Sequence, residues 1–221
     1  MPEEPEPLIG PYIDHTLLHP DATIGDIDRL CNEAVEHQFF AVCVNGCWIP
    51  HVWNRLADTD VSIATVVGFP LGANDTDSKR YETEVAIDNG AHEIDMVMNL
   101  GRFIDGDYKY IVREIRDVIE AADNRRVKFI IETGYFTKKQ ITNACQLAVE
   151  AEAHFVKTST GFGPGGATVE NVRLMRESVG QRAGVKASGG IRDKVTALQM
   201  IDAGATRIGT SAGVTIAAGY I

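Results

Sequence analysis

Along the chain, apolar runs of four to six residues alternate with longer segments whose apolar positions recur every three or four residues. The first run is IDHT (13–16). A helical segment follows from about Thr23, with Ile27, Leu30, Cys31 and Ala34 on one face. The pattern repeats. AVCVN (41–45) leads to a helix near 49–57, SIATVVG (62–68) through FPLGANDT to one at 77–89, and EIDMVM (93–98) to one at 108–122. VKFIIE (127–132) leads to a helix at 138–152, and HFVKT (154–158), GVKAS (184–188) and TRIGT (206–210) each precede a further helical segment. Strands that alternate with helices pair in parallel, and eight such units predict an α/β fold, a single-domain (β/α)₈ TIM barrel over residues 1–221. An open doubly wound sheet is the alternative. Residues 1–10 are expected to be a flexible N-terminal extension.

In such a barrel the chemistry sits at the carboxyl ends of the strands, so the polar groups placed there matter most. Residues alternate between faces: Ile94, Met96 and Met98 suit the helix layer, which turns Asp95 into the barrel. By the same alternation Lys157 in HFVKT and Lys186 in GVKAS point inward. Lys128 is expected to begin its strand, at the barrel bottom. The remaining lysines fall on predicted helices or their approaches, leaving Lys157 and Lys186 as the two near strand carboxyl ends.

These two lysines lie on consecutive strands, about 4.8 Å apart, which brings their amines within about 6 Å of each other. At an effective dielectric near 20, two unit charges at that distance repel by roughly 3 kcal/mol, about two pKa units. One amine is therefore expected to be neutral near pH 7, and a neutral buried lysine is a nucleophile suited to Schiff-base formation with a carbonyl.

Composition narrows the substrate. The chain has 221 residues, 44% of them apolar, and a net charge of −10, which argues against nucleic acid or an anionic membrane as partner. It has no apolar run near the roughly 18 residues of a membrane span. The opening MPEEPEPLIGP is acidic and proline-rich where an export signal would be basic and then apolar, and a cytoplasmic location is the expectation. Cys31, Cys43, Cys47 and Cys145 need no disulfide framework. An anionic substrate would need a local exception to the acidic surface. SGGIRD (188–193) and GTSAG (209–213) follow the seventh and eighth strands, where barrels often hold phosphate on backbone N–H groups. Gly189 and Gly190 would allow close approach of an anion, Ser211 adds a hydroxyl, and the loop after Lys157 adds Gly161.

The ordered set IDHTLL with PDAT, AVCVN, VVGFPLG, EIDMV, IIETG, VKTSTG with GGAT, VKASGGIR and RIGTS resembles the deoxyribose-phosphate aldolase family of class I aldolases, from about residue 9 to 213. The resemblance implies a (β/α)₈ fold and reversible cleavage of 2-deoxy-D-ribose 5-phosphate to D-glyceraldehyde 3-phosphate and acetaldehyde, without metal or organic cofactor. It implies Lys157 as the Schiff-base lysine, Asp95 with Lys186 as a proton-transfer pair acting through water, and Asp14 as a supporting acid. Phosphate contacts are implied at Gly161, Gly189, Gly190, Gly209 and Ser211. The family also implies a homo-oligomer, a dimer or tetramer. The chain departs from a pattern seen in some members at Phe162, His19 and Gly46.

Other readings compete. Cys43, Cys47 and His51 have the spacing of zinc ligands, but Cys43 falls within a strand and Cys47 beyond it. Glu132 reads as a structural hydrogen-bond partner and His15 as a core histidine facing the helices. Trp48, Trp53 and Tyr220 are candidates for a subunit contact, Tyr220 alternatively for the site mouth. Another Schiff-base lyase, a sugar-phosphate isomerase on the same barrel, and a non-catalytic sugar-phosphate binder remain as alternative functions.

Overall fold

Eight strands form where the apolar runs stand: β1 (Ile13–Leu17), β2 (Ala41–Val44), β3 (Ser62–Val67), β4 (Glu93–Val97), β5 (Arg126–Ile130), β6 (Phe155–Lys157), β7 (Gly184–Ser188) and β8 (Arg207–Thr210). The computed structural model describes residues 9–219. The strands pair in chain order, all parallel, and β8 closes the barrel on β1. The open doubly wound sheet is thereby excluded.

The connecting helices are α1 (Ile24–Glu36), α2 (Ile49–Leu56), α3 (Thr76–Asp88), α4 (Leu100–Ile104), α5 (Tyr108–Ala121), α6 (Lys138–Glu150), α7 (Val169–Val179), α8 (Lys194–Asp202) and α9 (Gly213–Ala217). Most begin on a side chain that accepts an otherwise orphan backbone N–H. Thr23 and Thr137 do so in reciprocal capping boxes with Asp26 and Gln140, and Asp75, Asp107, Thr168 and Asp193 cap singly. The five-residue α4, capped by Asn99, is too short for its period to be read from sequence.

Outward-facing Ile13, Val42, Ile63, Ile94, Met96, Phe129, Val156, Val185 and Ile208 join apolar helix faces such as Ile27, Leu30, Ile115 and Met175 in one buried layer. Each such side chain contributes roughly 1.5–3 kcal/mol by leaving water. The inward faces follow another rule. Ala41, Ala64, Gly184 and Gly209 share that face with long charged stems, and they make the room those stems need. A Cβ at Gly184 would fall 2.2 Å from the Phe155 ring, and one at Gly209 would fall 2.9 Å from Lys186 Cε.

Residues 1–8 of the expected extension lie outside the described residues, as does Tyr220. Ile9 and Gly10 depart from that expectation: both are buried, Gly10 O accepts from Phe40 N at 3.2 Å, and a Cβ on Gly10 would meet His37 O at 2.6 Å. They plug the start of β1 against the turn after α1. Trp53 lies over Gly90 and edge-on to His92, at 5.7 Å between ring centroids, and Trp48 packs partly buried against the main core.

One ion pair holds the βα loops from outside the barrel. Lys79 on α3 is fully buried and donates to Glu114 Oε1 on α5 at 2.6 Å, and to the backbone oxygens of Gly72 and Val97 at 2.9 Å each. Burial pulls Lys79 down and pushes Glu114 up, each opposed by the charge of the other. Removing one member leaves the other buried without a counter-ion. Lys79→Met is therefore expected to cost about 3–5 kcal/mol in urea unfolding, and the double variant Lys79→Met/Glu114→Leu to regain most of it; equal losses in the two would contradict this.

Candidate active site

Seven charged side chains occupy the barrel interior: Asp14, Glu93, Asp95, Lys128, Lys157, Lys186 and Arg207, each no more than 3% exposed. They form a closed ring of contacts. Asp95 Oδ2 accepts from Lys157 at 2.7 Å and from Lys186 at 2.8 Å, and Asp95 Oδ1 from Lys128 at 2.7 Å. Lys128 also meets Glu93 Oε2 at 2.7 Å, which accepts from Arg207 at 3.0 Å. Arg207 donates in turn to Asp14 Oδ1 at 2.8 Å, and Asp14 Oδ2 accepts from Lys186 at 2.5 Å. Lys157 and Lys186 are register partners across β6 and β7. Sharing one carboxylate oxygen brings their amines closer than the ~6 Å expected from strand spacing. Asp95 and Lys186, paired in the sequence reading, meet directly.

The register explains the ring. Asp95 pairs with Lys128, Lys186 with Arg207, and Asp14 with Gly209, so all point to one face at neighbouring heights. Lys128 corrects the sequence reading. β5 starts at Arg126, Lys128 is its third residue, and its stem carries the amine to Asp95 instead of leaving it at the barrel bottom. Glu93 and Arg207 are further members that sequence reasoning passed over. Alternation alone would have found both, since Glu93 shares a face with Asp95 and Arg207 with Gly209.

Three carboxylates face four bases, so a fully ionised ring would hold an uncompensated positive charge in a buried space. The proton is most easily lost where ammonium is held least. Lys186 is gripped by Asp14 and Asp95, which outweigh the effect of burial and hold it above the ordinary lysine value. Lys128 is likewise held up, its burial overcome by Asp95 with support from Glu93. Lys157 has only the shared Asp95 oxygen as an ionic partner among the described residues. Burial, reinforced by the Lys186 charge and opposed by Asp95, pulls Lys157 below the ordinary value. Burial is the leading cause and repulsion by Lys186 the lesser one, reversing the weight that sequence reasoning gave them. Burial would raise Asp95, but Lys128, Lys157 and Lys186 prevail and keep it well below the carboxylate range.

Above this ring lies a cavity of about 400 Å³ at the carboxyl ends of the strands. Of the seven interior charges only Lys157 lines it. Gly161, Gly189, Gly190, Gly209 and Ser211 line it too, and so does Arg192, which sequence reasoning did not single out although SGGIRD contains it. Gly189 and Gly190 have φ of 91° and 79°, a region that glycine enters without strain. Gly189 O accepts from Ala167 N at 2.9 Å, joining the GGAT loop to SGG. Glu132 anchors the loop after β6: its Oε2 accepts from Thr160 N at 3.0 Å and from Thr160 Oγ1 at 2.5 Å. Phe162 stands at the mouth, edge-on to Phe69 at 5.4 Å.

The remaining candidates lie elsewhere. His15 faces α1 and meets Glu33 at 2.6 Å. Cys43 is buried, Cys47 is exposed and His51 pairs with Asp28 at 2.9 Å, so these three do not converge.

A closed parallel barrel with a lysine at the floor of its strand-end cavity is the architecture of a barrel enzyme equipped for Schiff-base chemistry, as in the barrel aldolases. The sequence model of the DeoC/LacD family aldolase matches residues 10–218. A deoxyribose-phosphate aldolase of Thermoanaerobacter sp. (strain X514) is 53% identical over 211 residues, covering 94% of this chain and 95% of that protein. One of Bdellovibrio bacteriovorus is 54% identical over 208 residues, covering 94% of each. The solved tetrameric deoxyribose phosphate aldolase of Aeropyrum pernix superposes with a TM-score of 0.90 at 30% identity, covering 96% of this chain and 90% of that one. The chain belongs to the DeoC/LacD aldolase family, on the deoxyribose-phosphate aldolase branch.

The Lys186 stem passes where a Gly209 side chain would be, and Ser188 Cβ would lie 3.0 Å from the same point. Gly209→Ala is therefore expected to lower stability by about 1–3 kcal/mol through overpacking, read from the denaturant midpoint; an unchanged midpoint would show that the stem can move aside.

Proposed function

We propose that the chain is a class I aldolase that reversibly cleaves 2-deoxy-D-ribose 5-phosphate to D-glyceraldehyde 3-phosphate and acetaldehyde. The observation that carries this reading is Lys157, the one interior base that reaches the cavity and the one pulled toward its neutral form. Its Nζ adds to the C1 aldehyde of the substrate, and loss of water leaves an iminium. A base removes the proton of the C3 hydroxyl, the C2–C3 bond breaks, and its electron pair moves into the iminium to give an enamine. Glyceraldehyde 3-phosphate departs. Protonation of the enamine carbon and hydrolysis release acetaldehyde and restore the amine. The iminium nitrogen is the electron sink, so the chemistry calls for no metal or organic cofactor.

Asp95 and Lys186 are the proton-transfer pair in this reading. Asp95 is an ionised acceptor in contact with both amines, and Lys186 stays charged because Asp14 holds its other side. Gly161, Gly189, Gly190 and Ser211 offer the phosphate a backbone and hydroxyl cradle. Arg192 puts one positive charge beside it in an otherwise acidic chain. Gly209 lines the same cavity, and its lack of a side chain serves Lys186 as much as any phosphate. A fixed phosphate sets the distance between C1 and Lys157.

Partners beyond these small phosphorylated substrates are further copies of the chain. Exposed Trp53, Tyr81 and Val85 on α2 and α3, with a tetrameric relative, support a homo-oligomer. Free cysteines suit a cytoplasmic location, and no helix of the described residues is long and apolar enough to cross a membrane.

Acetaldehyde with borohydride should inactivate the protein by labelling Lys157, and Lys157→Ala should keep the fold while losing at least about 10³-fold in retro-aldol rate. A label on another residue, or a Lys157→Ala variant with the parent rate, would refute the assignment. The neutral amine is the reactant, so trapping should be level above the lowered Lys157 pKa and fall about tenfold per unit as pH drops below it. Faster cleavage of the phosphorylated sugar than of its unphosphorylated analogue would separate this reading from a Schiff-base lyase of other specificity.

A further inference from the structure

We propose that Arg207, buried in the barrel interior away from the cavity, is the positioning residue that keeps Lys157 unprotonated, acting through Asp14 and Glu93. The inference rests on the Schiff-base reading of Lys157. Arg207 does not line the cavity, and its hydrogen bonds among the described residues go to Asp14 and Glu93. Its Cζ lies over the Phe40 ring, 3.4 Å from the centroid, and 5.5 Å from the Phe155 centroid. That stacking fixes the position of the charge, and arginine does not give up its proton in proteins.

The consequence is one of counting. With Arg207 permanently charged, three lysines share the two units of negative charge that it leaves uncompensated. One lysine must then stand neutral for the ring to balance. Lys128 and Lys186 each hold two carboxylates, Lys157 one shared oxygen, so the deficit falls on Lys157. Without Arg207, three carboxylates meet three lysines and no amine needs to lose its proton. A lysine at position 207 could itself carry the deficit when unbalanced, whereas arginine passes it upward.

The charges bearing on Lys157 come from every side. Asp95 and Lys186 bear on it directly; the other titratable groups turned into the same interior are Asp14 on β1, the Cys43 thiol on β2, held neutral by burial, Glu93 on β4, Lys128 on β5 and Arg207 on β8, while β3 presents Ala64 and Val66. Arg126 reaches Glu93 at 3.5 Å from the solvent-facing bottom, where its side chain is 55% exposed. His19 and Arg192 border the cavity above. Among the charged groups within the barrel, Arg207 is the cation that cannot titrate away.

The test is the pH dependence of Lys157 trapping by acetaldehyde and borohydride, with acetylation of Lys157 by acetic anhydride as a second measure of basicity that needs no catalysis. In Arg207→Met the acid limb should move to higher pH by about one unit, making trapping about tenfold slower on that limb. Arg207→Lys, whose amine can lose its own proton in place of Lys157, should move the limb the same way by a smaller step, and Arg207→Met/Glu93→Gln, which removes one charge of each sign, should bring it back. A folded Arg207→Met variant with an unmoved limb, or one shifted to lower pH, would overturn the proposal. Should that variant not fold, Glu93→Gln alone decides: its limb should move to lower pH, and an unmoved limb would count equally against the proposal. A wild-type protein that is not trapped at Lys157 would refute the Schiff-base reading instead, while the acetylation profiles would still report on Arg207.

Discussion

The carboxylate of Asp95 is the interaction on which the site depends. Its two oxygens receive three lysine amines inside a closed barrel, each within 2.8 Å. A carboxylate in that place would be costly alone, and so would any of the three ammonium groups, because the interior offers little solvent to any of them. Together they are tolerable, provided the charges balance. The barrel meets this condition by lining its interior with Ala41, Ala64, Gly184 and Gly209 where other barrels stack branched apolar residues, so that long stems fit.

A buried ring of this kind resists rearrangement. Moving one amine strands a partner, and the loss of a buried counter-ion is among the larger single penalties a protein meets. The same rigidity that burdens folding fixes Lys157 at the cavity floor with its nitrogen close to Asp95. The one member of the ring that faces the cavity is also the member with the fewest ionic partners, so the weak point of the network lies where the proposed substrate carbonyl would arrive.

The upper half of the cavity works by different means. In the proposed reading, backbone N–H groups at the left-handed turns of Gly189 and Gly190, the Ser211 hydroxyl and Arg192 hold an anion without deep burial of charge. That arrangement would give a chain of net charge −10 a local place for the proposed phosphate. The loops of this upper half are tied down by hydrogen bonds as well as by packing: Glu132 pins the loop after β6, and Gly189 O pins the GGAT loop to SGG.

The strand and helix periods along the chain determined the barrel, because parallel pairing of eight βα units follows from alternation that each segment carries locally. They also turned Asp95, Lys157 and Lys186 inward, since a strand's two faces are fixed by counting residues. The burial of Ile9 and Gly10, the reach of Lys128 up to Asp95, and the part played by Glu93 and Arg207 came only from the tertiary structure. Those depend on where a strand begins, on how far a side chain extends along the barrel axis, and on the sum of charges across seven positions drawn from six strands. Such a sum exists only once the barrel has closed, for it is closure that removes water and obliges the charges to answer to one another.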